Sequence, residues 1–184
     1  MSGTEPSHAE VAVRPPAAEP EAGPPLPAAV SANALLERMI AHAAWANERV
    51  LASLRALPEP PAEAVRLLAH VLEAERLHLE RAAGADPFPQ DFWPARTLEE
   101  CAAQAAENRE RLAAFVAALP AEALARPASY RDSRGNRHRT PVADLLAHIG
   151  LHGSHHRGQI ARLVRAAGGE PAVTDYLAFV RANP

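Results

Sequence analysis

The chain has 184 residues and a net charge of −3, and 48% of its residues are hydrophobic but only 4% aromatic. This length has room for one domain with a tail, and the slight acidic excess argues against a nucleic-acid partner, which usually meets a basic surface. The single cysteine, Cys101, excludes an internal disulfide and predicts a cytoplasmic protein, and no stretch approaches the about 18 consecutive apolar residues of a membrane span.

Residues 1–30 are rich in proline, alanine and glutamate. Such a segment cannot bury enough apolar surface to offset the entropy of ordering, so we predict a disordered tail. Residues 31–184 then form the predicted domain. Its apolar residues are mainly alanine and leucine, which favour close-packed helices over sheets.

The first two predicted helices are separated by a proline-rich break. Ser31 or Asn33 can cap a first helix whose apolar residues recur at helical spacing. The segment LPEPP, residues 57–61, ends this helix because proline cannot continue a helix interior. A second helix is predicted over 62–83, and Gly84 ends it.

A loop and a third helix come next. The loop contains Phe88, Phe92 and Trp93, which we interpret as a lid packed over the domain rather than a platform for stacking bases. Thr97 and Glu100 have capping-box spacing, so they predict the start of a third helix, which runs to about residue 119.

The last third of the chain predicts a short hairpin and two more helices. Polar alternation around Gly135 indicates the hairpin. Thr140 is predicted to cap the fourth helix, with Pro141 at its first position, and this helix is expected to reach about residue 167. Thr174 is predicted to cap a short final helix.

These elements predict an all-α fold. Four amphipathic helices of similar length favour an antiparallel four-helix bundle, with the short hairpin before the last long helix and a short C-terminal helix at the end. An array of helical repeats is the alternative, but the sequence shows no internal self-similarity.

The segment HIGLHGSHHRGQ, residues 148–159, is the main functional signal. Steps of three and four residues from Ile149 lead to His152, His156 and Ile160. Two histidines therefore fill a gap in the inward apolar stripe, one turn apart, where both imidazoles can reach one metal ion.

A third histidine, His70, lies on the inward face of the second predicted helix. In a bundle it could converge with His152 and His156, and three neutral nitrogens with open positions for water describe a reactive metal site. The alternative is three buried polar residues held by hydrogen bonds. Their possible partners are Gln159, Asn47 and Glu73.

The other histidines of these two helices are expected outside the site. His148 lies at the edge of the inward stripe, His155 is expected to face solvent, and His78 is interpreted as a flank residue of the second helix. No glutamate lies between His152 and His156, so the arrangement of zinc proteases is not present.

The chain resembles the DinB/YfiT-like family of bacterial metalloproteins. The stretch HGSHHRGQIARLVRAAGGEPAVTDYLAFVR, residues 152–181, is similar to the C-terminal signature of that family. AHVLEAERLHLERAAG, from Ala69, resembles its second-helix segment, and WANERVLASLRAL, from Trp45, its first. SYRDSRGNRHRTPVADLLAHI resembles the hairpin before the last long helix, so the likeness covers residues 31–184 in order.

The resemblance implies a four-helix bundle that holds a divalent metal ion on His70, His152 and His156. Zinc or nickel is the expected ion, with manganese, iron or cobalt as alternatives. It also implies a homodimer acting on a small-molecule substrate, with a low-molecular-weight thiol such as bacillithiol, mycothiol or glutathione as a possible cofactor. Many relatives carry a large aromatic residue at the position of His78, which makes a transferred substrate assignment doubtful.

Two functional hypotheses follow. The first is a metal-dependent enzyme, like a thiol S-transferase or a hydrolase, in which the metal activates a thiolate or a water. The second is a metal-binding or dimeric structural protein without catalysis. Arg157 is expected to make a structural ion pair rather than to bind an anionic substrate group, and Cys101 to be a buried, inert thiol.

Overall fold

The computed structural model describes residues 30–183. The predicted disordered tail, with His8, lies outside the described residues except for its last position. Within 30–183 the chain is mostly helical, with five α-helices, one short 3₁₀ helix over Ala121–Ala125 and one two-stranded antiparallel sheet. The bounds are α1 Ala32–Arg55, α2 Ala62–Ala82, α3 Leu98–Ala118, β1 Pro127–Arg131, β2 Arg137–Pro141, α4 Val142–Ala166 and α5 Tyr176–Ala182.

Several helix ends agree with the sequence. Ser31 caps α1, since its side chain accepts a hydrogen bond from the backbone of Ala34, whereas Asn33 lies inside the helix. Thr97 and Glu100 form the predicted capping box of α3. Gly84, just beyond α2, has a φ of +99°, a left-handed conformation that favours glycine.

Two predicted caps are wrong. Thr140 lies in β2, where its hydroxyl is 3.0 Å from that of Tyr130, and Pro141 occupies the cap position of α4 instead of its first turn. Asp175, and not Thr174, precedes α5. The Thr140 hydroxyl takes part in a tertiary contact, which overrides its local capping preference.

The four long helices pack against one another. The main contacts join α2 with α4, α1 with α3, α1 with α4, and α2 with α3. The hairpin of β1 and β2 packs against α2 and α4, on the side of the loop that follows α2. Within residues 30–183 no helix is long and apolar enough to cross a membrane.

A layer of buried polar side chains joins the four long helices. Each helix contributes one residue, namely Asn47, Glu75, Asn108 and Arg157, and none is more than 3% exposed. Glu75 accepts hydrogen bonds from Asn47 at 2.8 Å and from Asn108 at 3.1 Å. Arg157 donates to the side-chain oxygen of Asn47 at 3.1 Å. Two apolar clusters make up the rest of the core, so this layer is a polar interruption of it.

Candidate metal centre

Three histidines from α2 and α4 come together. One ligand nitrogen from each of His70, His152 and His156 lies within 4.8 Å of the other two. The Nε2 atoms of His70 and His152 are 3.1 Å apart. The inward helical faces that were read from the sequence therefore meet in space.

Packing of α2 on α4 produces this convergence. His70 is buried on α2, while His152 and His156 are partly exposed and lie one turn apart on α4. The ring centroids of the three histidines are 4.5 to 4.9 Å apart. The cluster therefore lies where the core meets solvent.

Hydrogen bonds fix the ring orientation of two of these histidines. The Nδ1 of His70 donates to the backbone carbonyl of Phe92 at 2.7 Å, and the Nδ1 of His156 donates to Oε1 of Gln159 at 2.8 Å. In each ring Nδ1 makes this bond, which leaves Nε2 as the atom available to a metal ion. Outer partners of this kind orient the imidazole ligands of metal sites and raise their basicity.

Trp93 covers the ring of His70. The two rings are stacked with centroids 3.8 Å apart, and the Arg66 guanidinium lies over the indole at 4.5 Å. The sequence indicated that Trp93 belongs to an apolar lid, but its contact with His70 and the acceptor role of the Phe92 carbonyl were missed. Both depend on loop conformation, for which helical spacing gives no signal.

Burial keeps two histidines of the cluster, His70 and His152, neutral. Desolvation, with smaller contributions from the neighbouring His156 and His70, lowers the pKa of His152 to about 3. Desolvation also lowers the pKa of His70, against the effect of its bond to the Phe92 carbonyl. Because a metal ion binds the neutral imidazole, such groups need no deprotonation near pH 7.

The donor set suits a borderline-soft divalent ion. Zinc binds imidazole nitrogen at about 2.0–2.1 Å, so two tetrahedral nitrogen ligands lie roughly 3.3–3.4 Å apart. The separation of 3.1 Å between the Nε2 atoms of His70 and His152 is close to that value. Imidazole suits zinc, nickel, copper and iron, whereas magnesium and calcium need oxygen ligands, and the cluster contains no carboxylate.

Of the three residues expected to hold the histidines by hydrogen bonds in the absence of a metal, two are bonded elsewhere. Gln159 does bond to His156, but Asn47 belongs to the buried layer and Glu73 pairs with Arg76 and Arg96. Within residues 30–183, His70 and His152 thus have no side-chain hydrogen-bond partner of this kind except each other. Their Nε2 atoms face each other in the space that the three imidazoles share.

The remaining histidines of α2 and α4 partly differ from expectation. His155 is exposed, as predicted, and His148, which was placed at the edge of the inward stripe, is exposed as well. His78 is not a flank residue, because it is 9% exposed and its ring lies 4.6 Å from that of His148. The loop after α2 and the hairpin cover this part of α2, which helical periodicity could not reveal.

Arg157 and Cys101 are both buried. Arg157 belongs to the polar layer, where it bonds to Asn47 rather than to a carboxylate. Burial raises the pKa of the Cys101 thiol to about 11, so this thiol is inert near neutral pH, as predicted.

The contact of Gln159 with His156 gives a first prediction. Replacing Gln159 by leucine is expected to weaken binding of Zn²⁺ or Ni²⁺ by about 10–100-fold, because the His156 ring loses the acceptor that orients it. The matched variant Gln159→Glu keeps an acceptor oxygen and should bind the metal at least as tightly as the wild type. Competition with a chromogenic chelator measures both, and equal affinity of the leucine and glutamate variants would contradict the assignment.

The buried His78 gives a second prediction, on acid stability. Desolvation lowers the pKa of His78 from 6.5 to about 3, so below pH 6.5 the unfolded chain binds a proton there that the folded protein does not. Stability therefore falls as the pH drops towards 3. At pH 5 this group destabilises the fold by up to about 2 kcal/mol, and His78→Phe should remove that part.

Urea unfolding of the metal-free protein at pH 7 and pH 5 measures this effect. The stability lost between the two pH values should be smaller in His78→Phe than in the wild type. His155→Ala, which changes an exposed histidine of α4, should lose as much as the wild type. An identical loss in His78→Phe would show that this residue is not held neutral.

Comparison with known proteins indicates the family of the chain. A family model described as "DinB family" matches residues 30–183. A curated relative, "Protein DinB" of Bacillus subtilis (strain 168), is 38% identical over 55 residues, which are 30% of this chain and 32% of that protein. The match thus spans about a third of the relative's length. No solved structure matches the chain.

Proposed function

The chain belongs to the DinB family, and we propose that it is a metal-dependent enzyme acting on a small molecule. We propose His70, His152 and His156 as the ligands of one divalent ion, zinc or nickel first, and manganese, iron or cobalt as alternatives. The observation that carries the proposal is the convergence of their nitrogens within 4.8 Å at an accessible surface.

Three protein ligands leave coordination positions for a water or a thiol. A divalent ion there would act as a Lewis acid and lower the pKa of the coordinated water or thiol towards neutrality. The contacts of His70 and His156 hold the nitrogens in place before binding, so little reorganisation is needed. Trp93 shields one face of His70 from water, while the partly exposed His152 and His156 leave the opposite approach open.

The reaction that fits is transfer of a thiolate, or of a water, to a small electrophile. A low-molecular-weight thiol is the proposed cofactor of a thiol S-transferase-like reaction, and a hydrolase-like reaction is the variant in which water takes its place. Three neutral ligands leave the double charge of the ion uncompensated, which favours an anionic ligand such as a thiolate or hydroxide. The absence of a carboxylate from the histidine cluster supports this preference.

The test is a screen for turnover that depends on metal and thiol. Bacillithiol, mycothiol and glutathione are offered with small alkyl and acyl electrophiles, with and without added Zn²⁺ or Ni²⁺. We expect turnover that is lost on chelation and restored by one of the ions. Turnover that survives loss of the three histidines would overturn the mechanism, while metal uptake that raises the melting temperature without any turnover would favour a structural role.

Two further features belong to the proposal. We propose that the four long helices form an antiparallel bundle, which their pairwise contacts support. We also propose that the protein is cytoplasmic and forms a homodimer. The dimer is supported by an apolar groove of about 210 Å³ between α1 and α4, which is lined by Leu35 and Leu151, and these side chains are 46% and 67% exposed. Sedimentation equilibrium distinguishes the dimer from a monomer.

A further inference from the structure

Arg81 is a buried cation of α2, three residues after His78. It is 3% exposed, and none of the ion pairs within residues 30–183 includes it. Its Nη2 donates to the side chain of Gln90 and to the carbonyl of Arg131, both at 3.0 Å. Its guanidinium lies 4.2 Å from the ring centre of Tyr130. Burying a guanidinium without an anion costs desolvation free energy, and a bound anion would offset that cost.

Two histidines link this cation to the metal centre. The ring of His78 lies 4.6 Å from that of His148, which lies 5.3 Å from that of His152. His148 is exposed and gives access from solvent, whereas His78 is buried. Within the described residues, Nδ1 of His78 and Nε of Arg81 are both buried and without a hydrogen-bond partner. Buried polar atoms without a hydrogen-bond partner in the protein require one from a bound ligand or a water.

The charges around these residues favour an anion over a second metal ion. The neighbouring carboxylates are already paired, Asp86 with Arg131 and Asp132 with His138. Arg81 lowers the pKa of both His78 and His148 through its charge, so the group combines two neutral imidazoles with one cation. A second metal ion would be repelled by Arg81, whereas an anion would find N–H donors and an unpaired positive charge.

We infer that His78, His148 and Arg81 bind a carboxylate of the small molecule on which the metal centre acts. The inference rests on the proposed function, since it takes the ion on His152 and its neighbours as the second point of attachment. The ring spacing along α4 places the carboxylate about one helical turn, roughly 5 Å, from the metal-bound end. That separation corresponds to a short thiol acid, in which two methylene groups lie between the sulfur and the carboxylate.

The test compares two thiols that differ only in charge. The Co²⁺-loaded protein is titrated with 3-mercaptopropionate and with 3-mercaptopropionamide, and the thiolate-to-metal absorption band reports binding of each. The wild type should bind the acid about 10-fold or more tightly than the amide, as expected for hydrogen bonds to a charged group. This preference should shrink towards equality in His148→Ala, in His78→Phe and in Arg81→Met.

His155→Ala is the matched control, because it removes an exposed histidine of the same helix and should keep the preference. His148 is itself exposed, so its variant should fold even where that of the buried Arg81 does not. Equal binding of acid and amide by the wild type would overturn the inference alone. So would a preference that persists in both histidine variants. A wild type that takes up no Co²⁺ would overturn the proposed function and the inference with it.

Discussion

Replacing His152 and His156 together by alanine is expected to abolish uptake of Zn²⁺ and Ni²⁺. The double variant leaves His70 as the only imidazole of the cluster, and one nitrogen cannot hold a divalent ion against water. Each single variant should lower metal affinity by more than about 100-fold, because loss of an outer partner alone costs about 10–100-fold.

Metal content by inductively coupled plasma mass spectrometry, on protein purified without a histidine tag, measures this expectation. Ser154→Ala is the control, since it changes an exposed residue of the same helix that is not one of the three converging histidines and should leave one ion per chain. The fold should persist in the double variant because His152 and His156 are only partly buried. Full metal content in the double variant would exclude these residues as ligands.

Removing the charge of Arg157 is expected to cause the largest loss of stability among the substitutions considered. Arg157→Met leaves Asn47 without its donor and removes the positive charge that acts against the burial-raised pKa of the Glu75 carboxyl. Breaking a buried charged network from one side costs about 3–5 kcal/mol, which in a domain of this size lowers the melting temperature by roughly 6–20 °C.

A double variant separates charge from packing. Arg157→Met combined with Glu75→Gln removes both ionisable groups but keeps an oxygen for Asn47 and Asn108, so it should regain part of the loss. Arg109→Met, which breaks an ion pair with Glu48 between two exposed side chains, should cost less than about 1 kcal/mol. Thermal unfolding of the metal-free proteins compares them. A loss in Arg157→Met as small as that in Arg109→Met would contradict the assigned role of the layer.

The positions of the long helices could be predicted because their ends depend on local chemistry. Pro58, the Thr97 capping box and Gly84 act within one turn of their own helix. Thr140 could not be placed in this way, because it pairs with Ala128 of the preceding strand rather than with residues of the helix that follows it. Local capping preference and long-range strand pairing compete there, and the pairing prevails.

The features of the histidine cluster also fall into two groups, those that helical spacing predicts and those that depend on distant parts of the chain. His70, His152 and His156 were recognised because a helix fixes which side chains share a face, so spacing alone placed them inward. The contacts of Trp93 and the Phe92 carbonyl depend on the path of the loop after α2, which has no periodic pattern. His78 was misread for a related reason, since elements distant in sequence cover its side of α2.

The buried polar layer also sets the rotation of α4 about its own axis. His156 and Arg157 are adjacent in sequence, so their side chains leave the helix about 100° apart. As long as Arg157 stays bonded to Asn47 of α1, His156 is aimed towards α2 and His70. A substitution in the layer that lets α4 turn would therefore misalign the metal ligands while leaving every one of them in place. Loss of metal affinity in such variants would therefore indicate that α4 has rotated about its own axis.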